Sequence, residues 1–422
     1  MSVLLFFLPL VFWPWSLDPA NGPKWMFLSV IVPALYLFHQ GTRWTHVHTM
    51  NTLWFGWSTL TLLWTVSIMD GVHALWKLLL VTILISLGIS LSRVKANRCV
   101  IAFCLGVGIN GILVFAQALG FDLIPQVAPP SGLFANRNYL AEAGVMALAC
   151  LPMITPRWLA VSLLAPVGFA TLIPKSRGVI LVALILVFLA VWKRSKYWAV
   201  FLLAVSMNAA LLLVEGKPIE HALGDFSFQQ RLTLWRETIA GLNLFGHGIG
   251  SYWAAFQLFG ANAPEHTFDF SIGPDNPHND ILLLLSDLGV GAAIPLTLAF
   301  MAWRSGDDEI RYPLLAFGLC GLFAFPLLNP GTVTVAAVFA GVAFGARHHV
   351  HNVGMARGQS PVLRGAIGLD FDPSISGSKG KRGFSAIVEN PGGDGGTDRA
   401  NAGNPTDIRS WRRQKCLGAS AE

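Results

Sequence analysis

The chain has 422 residues, 54% of them hydrophobic and 12% charged, with a formal net charge of +6. Soluble chains carry about 25% charged residues, because a water-facing surface needs them. A lipid-facing surface does not, so the composition excludes an ordinary soluble protein, and the absence of strand-length alternation argues against a β-barrel.

Apolar runs recur from the N-terminus to about residue 346, and about 20 apolar residues cross a bilayer core as a helix. The sequence predicts an all-α integral membrane protein with twelve spans, at 3–17, 25–39, 52–69, 72–91, 99–119, 139–153, 158–174, 178–192, 197–214, 281–303, 312–328 and 331–346. The first run has the length of a signal peptide but lacks a basic n-region and a small-residue cleavage site, so it counts as a retained span. Residues 1–346 form the membrane domain. Of the cysteines, Cys99, Cys104, Cys150 and Cys320 fall in spans and Cys416 in the tail; none forms a CxxC pair, so neither a disulfide framework nor a zinc site is expected.

Twelve spans put both termini on one side. One set of loops carries Arg43, then Arg93, Lys95 and Arg98, then Arg157, Lys193, Arg194 and Lys196, and Arg304 and Arg311. The positive-inside rule makes that set cytoplasmic. The outer set keeps fewer cations: Lys24, Lys77, Arg137, Lys175, Arg177, Lys217, Arg231 and Arg236. Each either anchors to lipid headgroups or binds something negative.

In chain order, Lys77 lies near the outer end of span four, where it snorkels or ligates an anion. Residues 129–145, PPSGLFANRNYLAEAGV, place Asn136 and Asn138 around Arg137 ahead of Glu142. They form a helix entry or a polar floor at the outer face. Pro174-Lys175-Ser176-Arg177-Gly178 opens span eight with a basic pair, suited to headgroups or to phosphate. Residues 215–280 form one long outer loop. Within it 229–243 reads as an amphipathic helix, with Arg231 and Trp235 four apart on one face and Arg236 turned away. Gly246, Gly248 and Gly250 follow as a permissive turn; without GxxxxGK[ST] it is no P-loop. The loop closes on Pro277-His278-Asn279-Asp280, where Asn279 or Asp280 can cap the next helix. His278 is then either a capping-loop residue with a satisfied backbone bond or a group able to take a hydroxyl proton near neutral pH. Gly341 and Gly345 form a GxxxG packing motif. The tail 347–422 holds 11 Lys and Arg against 7 Asp and Glu, net +4. It reads as a disordered cytoplasmic tail.

Four segments occur in one order: GLFANRN before a span, SRG opening a span, RLTLW and FGHGIG in the long outer loop, and PHND opening the next span. Together they resemble the O-antigen ligase and polymerase family of bacterial membrane glycosyltransferases, over roughly 50–346 and most strongly over 170–295. The resemblance implies about twelve transmembrane helices and one long periplasmic loop containing short helices, in the bacterial inner membrane. It implies transfer of a glycan from a polyprenyl-diphosphate carrier to a hydroxyl on another glycan, on lipid A core or on a protein. It also implies neither cofactor, metal nor nucleic acid. Arg177 resembles the family's span-opening arginine and Arg231 its loop arginine in R-x-x-x-W, both diphosphate ligands. His278 resembles its loop-closing histidine, the base. Lys77 is a weaker match to a third basic ligand, and Asn136, Asn138, Trp235 and Arg236 stand as supporting positions. The tail departs from the family in length and composition. A flippase or transporter of lipid-linked saccharide is the contrasting expectation; it would carry charges at mid-membrane, where this chain has few.

Overall fold

The computed structural model describes residues 1–16, 18–39, 45–121, 123–124, 129–196, 226–260 and 276–358. Their regular structure is helical, with no strand among them. The predicted span 197–214, parts of the long loop and the tail beyond 358 lie outside the described residues.

The helices are α1 (Ser2–Phe7), α2 (Asn21–Leu37), α3 (His46–Leu60), α4 (Ile68–Ile89), α5 (Arg93–Ala118), α6 (Arg137–Cys150), α7 (Arg157–Leu172) and α8 (Arg177–Arg194). Then come α9 (Phe226–Ala240), α10 (Tyr252–Phe259), α11 (Asp280–Leu288), α12 (Ala293–Ser305), α13 (Asp308–Phe323) and α14 (Pro330–Gly358). Three stretches, Ile68–Ile89, Arg93–Ala118 and Asp280–Ser305, are long and apolar enough to cross a membrane by length and composition. Large apolar side chains such as Met26, Val30, Ile112 and Val161 lie exposed on helix faces, as a lipid-facing surface requires.

Three boundaries differ from the sequence expectation. The run 3–17 is helical only through Ser2–Phe7 and a 3-10 turn to Leu10, because Pro9 and Pro14 each lack a backbone N–H. The run 52–69 contains a break at 64–67, where the Val66 N–H donates to the His247 carbonyl at 3.2 Å. The last helix continues past 346 to Gly358; the sequence offers it no proline until Pro361.

Glycines set the closest approach in the bundle. A Cβ at Gly341 would overlap the Ile85 carbonyl, one at Gly345 the Ile89 carbonyl, and one at Gly88 the Val338 carbonyl. GxxxG thus lets α14 pack backbone to backbone on α4. The four span cysteines are free and buried.

The two charge sets fall at opposite ends of α8 and α13. At one end Arg93 pairs with Glu309 at 2.8 Å, and Lys193 with Asp308 at 3.1 Å. Arg177 sits at the other end of α8, about 27 Å away at 1.5 Å per residue. Lys24 of the outer set neither snorkels nor waits for an anion. It is fully buried and donates to the carbonyls of Val11 (2.8 Å), Ala20 (3.3 Å) and Leu133 (3.0 Å). Those bonds staple α2 to the segment before α6.

Candidate active site

The site is organised by the connection between α13 and α14, residues 324–329. A helix end leaves its last carbonyls without intrahelical partners, and side chains from the long loop take them. Asn279 Nδ2 donates to Leu322 O at 3.2 Å, and Arg231 Nη1 to Phe323 O at 3.2 Å. The Leu327 N–H donates to Asp280 Oδ2 at 3.0 Å. Asn329 Nδ2 donates to Glu142 Oε2 at 3.2 Å and to Tyr139 O at 3.1 Å. A Cβ at Gly178 would lie 3.0 Å from Phe323 Cβ, so the start of α8, with Arg177, abuts the same helix end. Elements α6, α8, α9, α11 and α13 therefore meet at one short turn.

His278 is held over this turn in a conformation that L-residues seldom adopt. Its φ is +53°, the left-handed region, which is uncommon for any residue with a Cβ although Asn, Asp and His are enriched there. Four bonds fix it there. The His278 N–H donates to Asn276 Oδ1 at 2.9 Å, Trp235 Nε1 donates to Pro277 O at 2.8 Å, and Asn279 Oδ1 caps α11 by accepting from Ile281 N (3.0 Å) and Leu282 N (3.1 Å). Strain of this kind persists where neighbours over-determine it, and it gathers at functional sites. The imidazole packs on the Phe325 ring, centroids 4.9 Å apart. Its Nδ1 is buried and has no hydrogen-bond partner. Burial, then the charge of Arg231, lowers the His278 pKa to about 4, so the ring is neutral at pH 7 with a lone pair available.

Arg231 is half-buried, and among the described residues it makes no ion pair. Burial, then the charge of Arg177, lowers its pKa, although a guanidinium stays protonated. Two cations are thus held close enough to repel, at a cost that a bound anion removes.

The remaining sequence candidates divide. Trp235 shares the site with Arg231 and positions the histidine loop. Arg236 is exposed and pairs with its neighbour Glu237 at 2.9 Å. Asn136 is the N-cap of α6, accepting from Asn138 N at 2.8 Å and Tyr139 N at 3.4 Å, and Arg137 donates to the Pro129 carbonyl. These residues build the helix entry that brings Tyr139 and Glu142 to the turn. Lys77 is apart from the arginines. It lies over the Trp25 ring at 5.5 Å and lines a separate cavity with Asp70 and Asp287.

The glycine turn is structural. Gly248 N donates to Asp287 O at 3.0 Å and Gly250 N to Asp287 Oδ2 at 2.8 Å, while Ile249 N donates to Thr61 Oγ1 at 3.0 Å. Gly246, Gly248 and Gly250 all have positive φ, and a Cβ at Gly248 would overlap Thr65. The loop threads between α11 and the α3–α4 break, and those amides are not free to cradle a phosphate. Phe325 and Asn329, which the sequence analysis passed over, carry the turn; the signal was the FPLLNP stretch between two apolar runs. Among the described residues no three His, Cys, Asp or Glu side chains cluster to hold a metal ion.

Residues 159–297 match the family model described as O-antigen ligase. The match covers α8, α9, the glycine turn and the histidine loop, so this stretch of the chain is similar to that family. No curated protein matches the chain.

Proposed function

We propose, with the O-antigen ligase match over 159–297 as the premise, that this membrane protein transfers a glycan from a polyprenyl-diphosphate carrier to an acceptor hydroxyl at the periplasmic face of the inner membrane. The observation that carries the proposal is the convergence of Arg177, Arg231 and His278 on one turn, with a buried, unpartnered imidazole nitrogen beside two mutually repelling cations.

In the proposed reaction the acceptor oxygen attacks the anomeric carbon while His278 takes its proton. The bond from the anomeric carbon to the diphosphate oxygen breaks, and the electron pair leaves with the polyprenyl diphosphate. Negative charge grows on that oxygen in the transition state, where fixed guanidinium groups stabilise it most. Guanidinium fork geometry also suits paired phosphate oxygens. One displacement without a covalent intermediate inverts the anomeric configuration. The diphosphate linkage supplies the driving force, so no nucleotide is consumed. Acceptors on another glycan (polymerase), on lipid A core (ligase) or on a protein share this chemistry.

The test uses the full chain in proteoliposomes with a lipid-linked glycan donor, in EDTA and without nucleotide. Transfer of the glycan to an added acceptor supports the proposal. Movement of the donor between leaflets without transfer would sink it in favour of a flippase.

A further inference from the structure

A second cavity, of about 240 Å³, lies at the opposite end of α11 from His278. It is lined by Trp25, Trp54, Asp70, His73, Lys77 and Asp287, with apolar side chains between them. Its mouth carries the exposed Asp70 and His73, and the deeply buried Tyr252 also lines it.

Two buried polar atoms on this lining lack partners. Asp287 is 7% exposed; its carboxyl accepts from Gly250 N through Oδ2 and also draws on the Tyr252 N–H, which leaves Oδ1 without a well-aligned donor. Trp54 is 9% exposed, and its indole Nε1–H has no acceptor. An unsatisfied buried polar group is costly, so each calls for an explanation. An acceptor and a donor lining one cavity, with Lys77 on the same lining, are what a hydroxyl group takes, since it both gives and accepts a hydrogen bond.

The charge balance separates this cavity from an anion site. Asp70 and Asp287 line this cavity with one lysine, whereas among the described residues no carboxylate pairs with Arg231. A diphosphate placed beside two carboxyl groups would be repelled. The size is also telling. Sites for drug-sized ligands run about 300–1,000 Å³, so this cavity suits a single sugar ring rather than a lipid tail.

We propose that this cavity is a saccharide subsite that holds the acceptor, an inference that rests on the transfer function proposed above. Asp287 Oδ1 receives a sugar hydroxyl, and Trp54 Nε1–H and Lys77 Nζ donate to sugar oxygens. Asp287 lies eight positions beyond the cap Asn279, about 12 Å at 1.5 Å per residue. A sugar seated here cannot itself reach His278. The acceptor is therefore an oligosaccharide, held by a unit other than the one that reacts.

The test measures binding of two probes to the full chain in nanodiscs: methyl glycosides of hexoses and N-acetylhexosamines, by saturation-transfer NMR, and polyprenyl diphosphate. The variants are Asp287→Asn, Trp54→Phe and Arg231→Ala. Glycoside binding is expected in wild type, weakened at least about tenfold by Asp287→Asn and by Trp54→Phe, and kept in Arg231→Ala. Diphosphate binding follows the inverse pattern, so in each variant the binding that is kept reports that the protein is folded. If Asp287→Asn does not fold, Trp54→Phe decides, because it keeps an aromatic ring in place. Absence of glycoside binding in wild type, or binding that both cavity variants leave unchanged, overturns the subsite while the transfer function stands. Diphosphate binding indifferent to Arg231→Ala overturns the transfer function instead.

Discussion

The two ends of α11 are built for opposite charge. At its N-terminus two arginines and a neutral histidine gather where the helix dipole is positive, with exposed peptide N–H groups capped by Asn279. At its C-terminus Asp287 and the glycine turn close the helix, and the neighbouring cavity holds two carboxyl groups against one lysine. A helix of only nine residues therefore separates a place suited to a leaving diphosphate from one suited to hydroxyls. The contrast teaches that a cation near a helix end is not by itself an anion site. Lys24 is fully engaged with carbonyls and Lys77 shares its cavity with acids, while Arg231 is half-buried beside Arg177 and among the described residues makes no ion pair.

Removing the cationic end should have the largest effect. Arg231→Ala and His278→Ala are each expected to lower the transfer rate about 10²–10³-fold, the scale of losing a charge-stabilising donor or a general base, in a single-turnover assay with labelled donor.

The next effect is on pH. His278 titrates near 4 in the free protein because burial and Arg231 disfavour its charged form. The acid limb of kcat/KM, which reports the free enzyme, should therefore fall below pH 5. A bound diphosphate offsets the Arg231 charge, so the acid limb of kcat should lie higher. Coincident limbs near pH 6.5 would contradict this. Linkage gives the matching sign for stability. The unfolded histidine binds a proton near pH 6.5 and the folded one only near 4, so its contribution is complete above pH 6.5 and is lost on acidification through that window. His278→Gln should flatten that part of the stability profile.

At the other end, Gly248→Ala meets a φ of +101° and the Thr65 backbone. A loss of about 1–3 kcal/mol is expected, read from the denaturation midpoint in detergent. Asn279→Ala removes the cap of α11 and should cost about 1 kcal/mol. The smallest effect belongs to Arg236→Ala, whose exposed pair with Glu237 predicts a change within about 0.5 kcal/mol and near-normal transfer.

Much of this was legible in the sequence for physical reasons. Hydropathy located the helices because lipid demands long apolar runs, and Asn279 announced a cap because its side chain can accept from the next turn. Arg231 and Trp235 read as one face because four residues make about one helical turn, and both side chains do reach the α13 end and the histidine loop. The GxxxG of α14 read as packing, and it is. What escaped was long-range. Nothing local in FPLLNP says that Phe325 lies against His278 or that Asn329 reaches Glu142, because those contacts join segments far apart in the chain. The glycine turn read as permissive, but spaced glycines look alike whether they admit a ligand or another backbone; here the backbone is that of α11 and Thr65. Lys77 looked like a companion of the arginines because sequence gives depth along a span but not the direction in which the side chain points.

The most direct measurement separates donor binding from transfer in the two variants of the cationic end. Polyprenyl-diphosphate-glycan binding and single-turnover transfer would be followed for wild type, Arg231→Ala and His278→Ala in the same nanodiscs. Arg231→Ala should lose donor binding and transfer together, while His278→Ala keeps donor binding and loses transfer. Wild-type transfer rates in His278→Ala, or donor affinity unchanged in Arg231→Ala, would contradict the assignment of this turn as the site of glycan transfer.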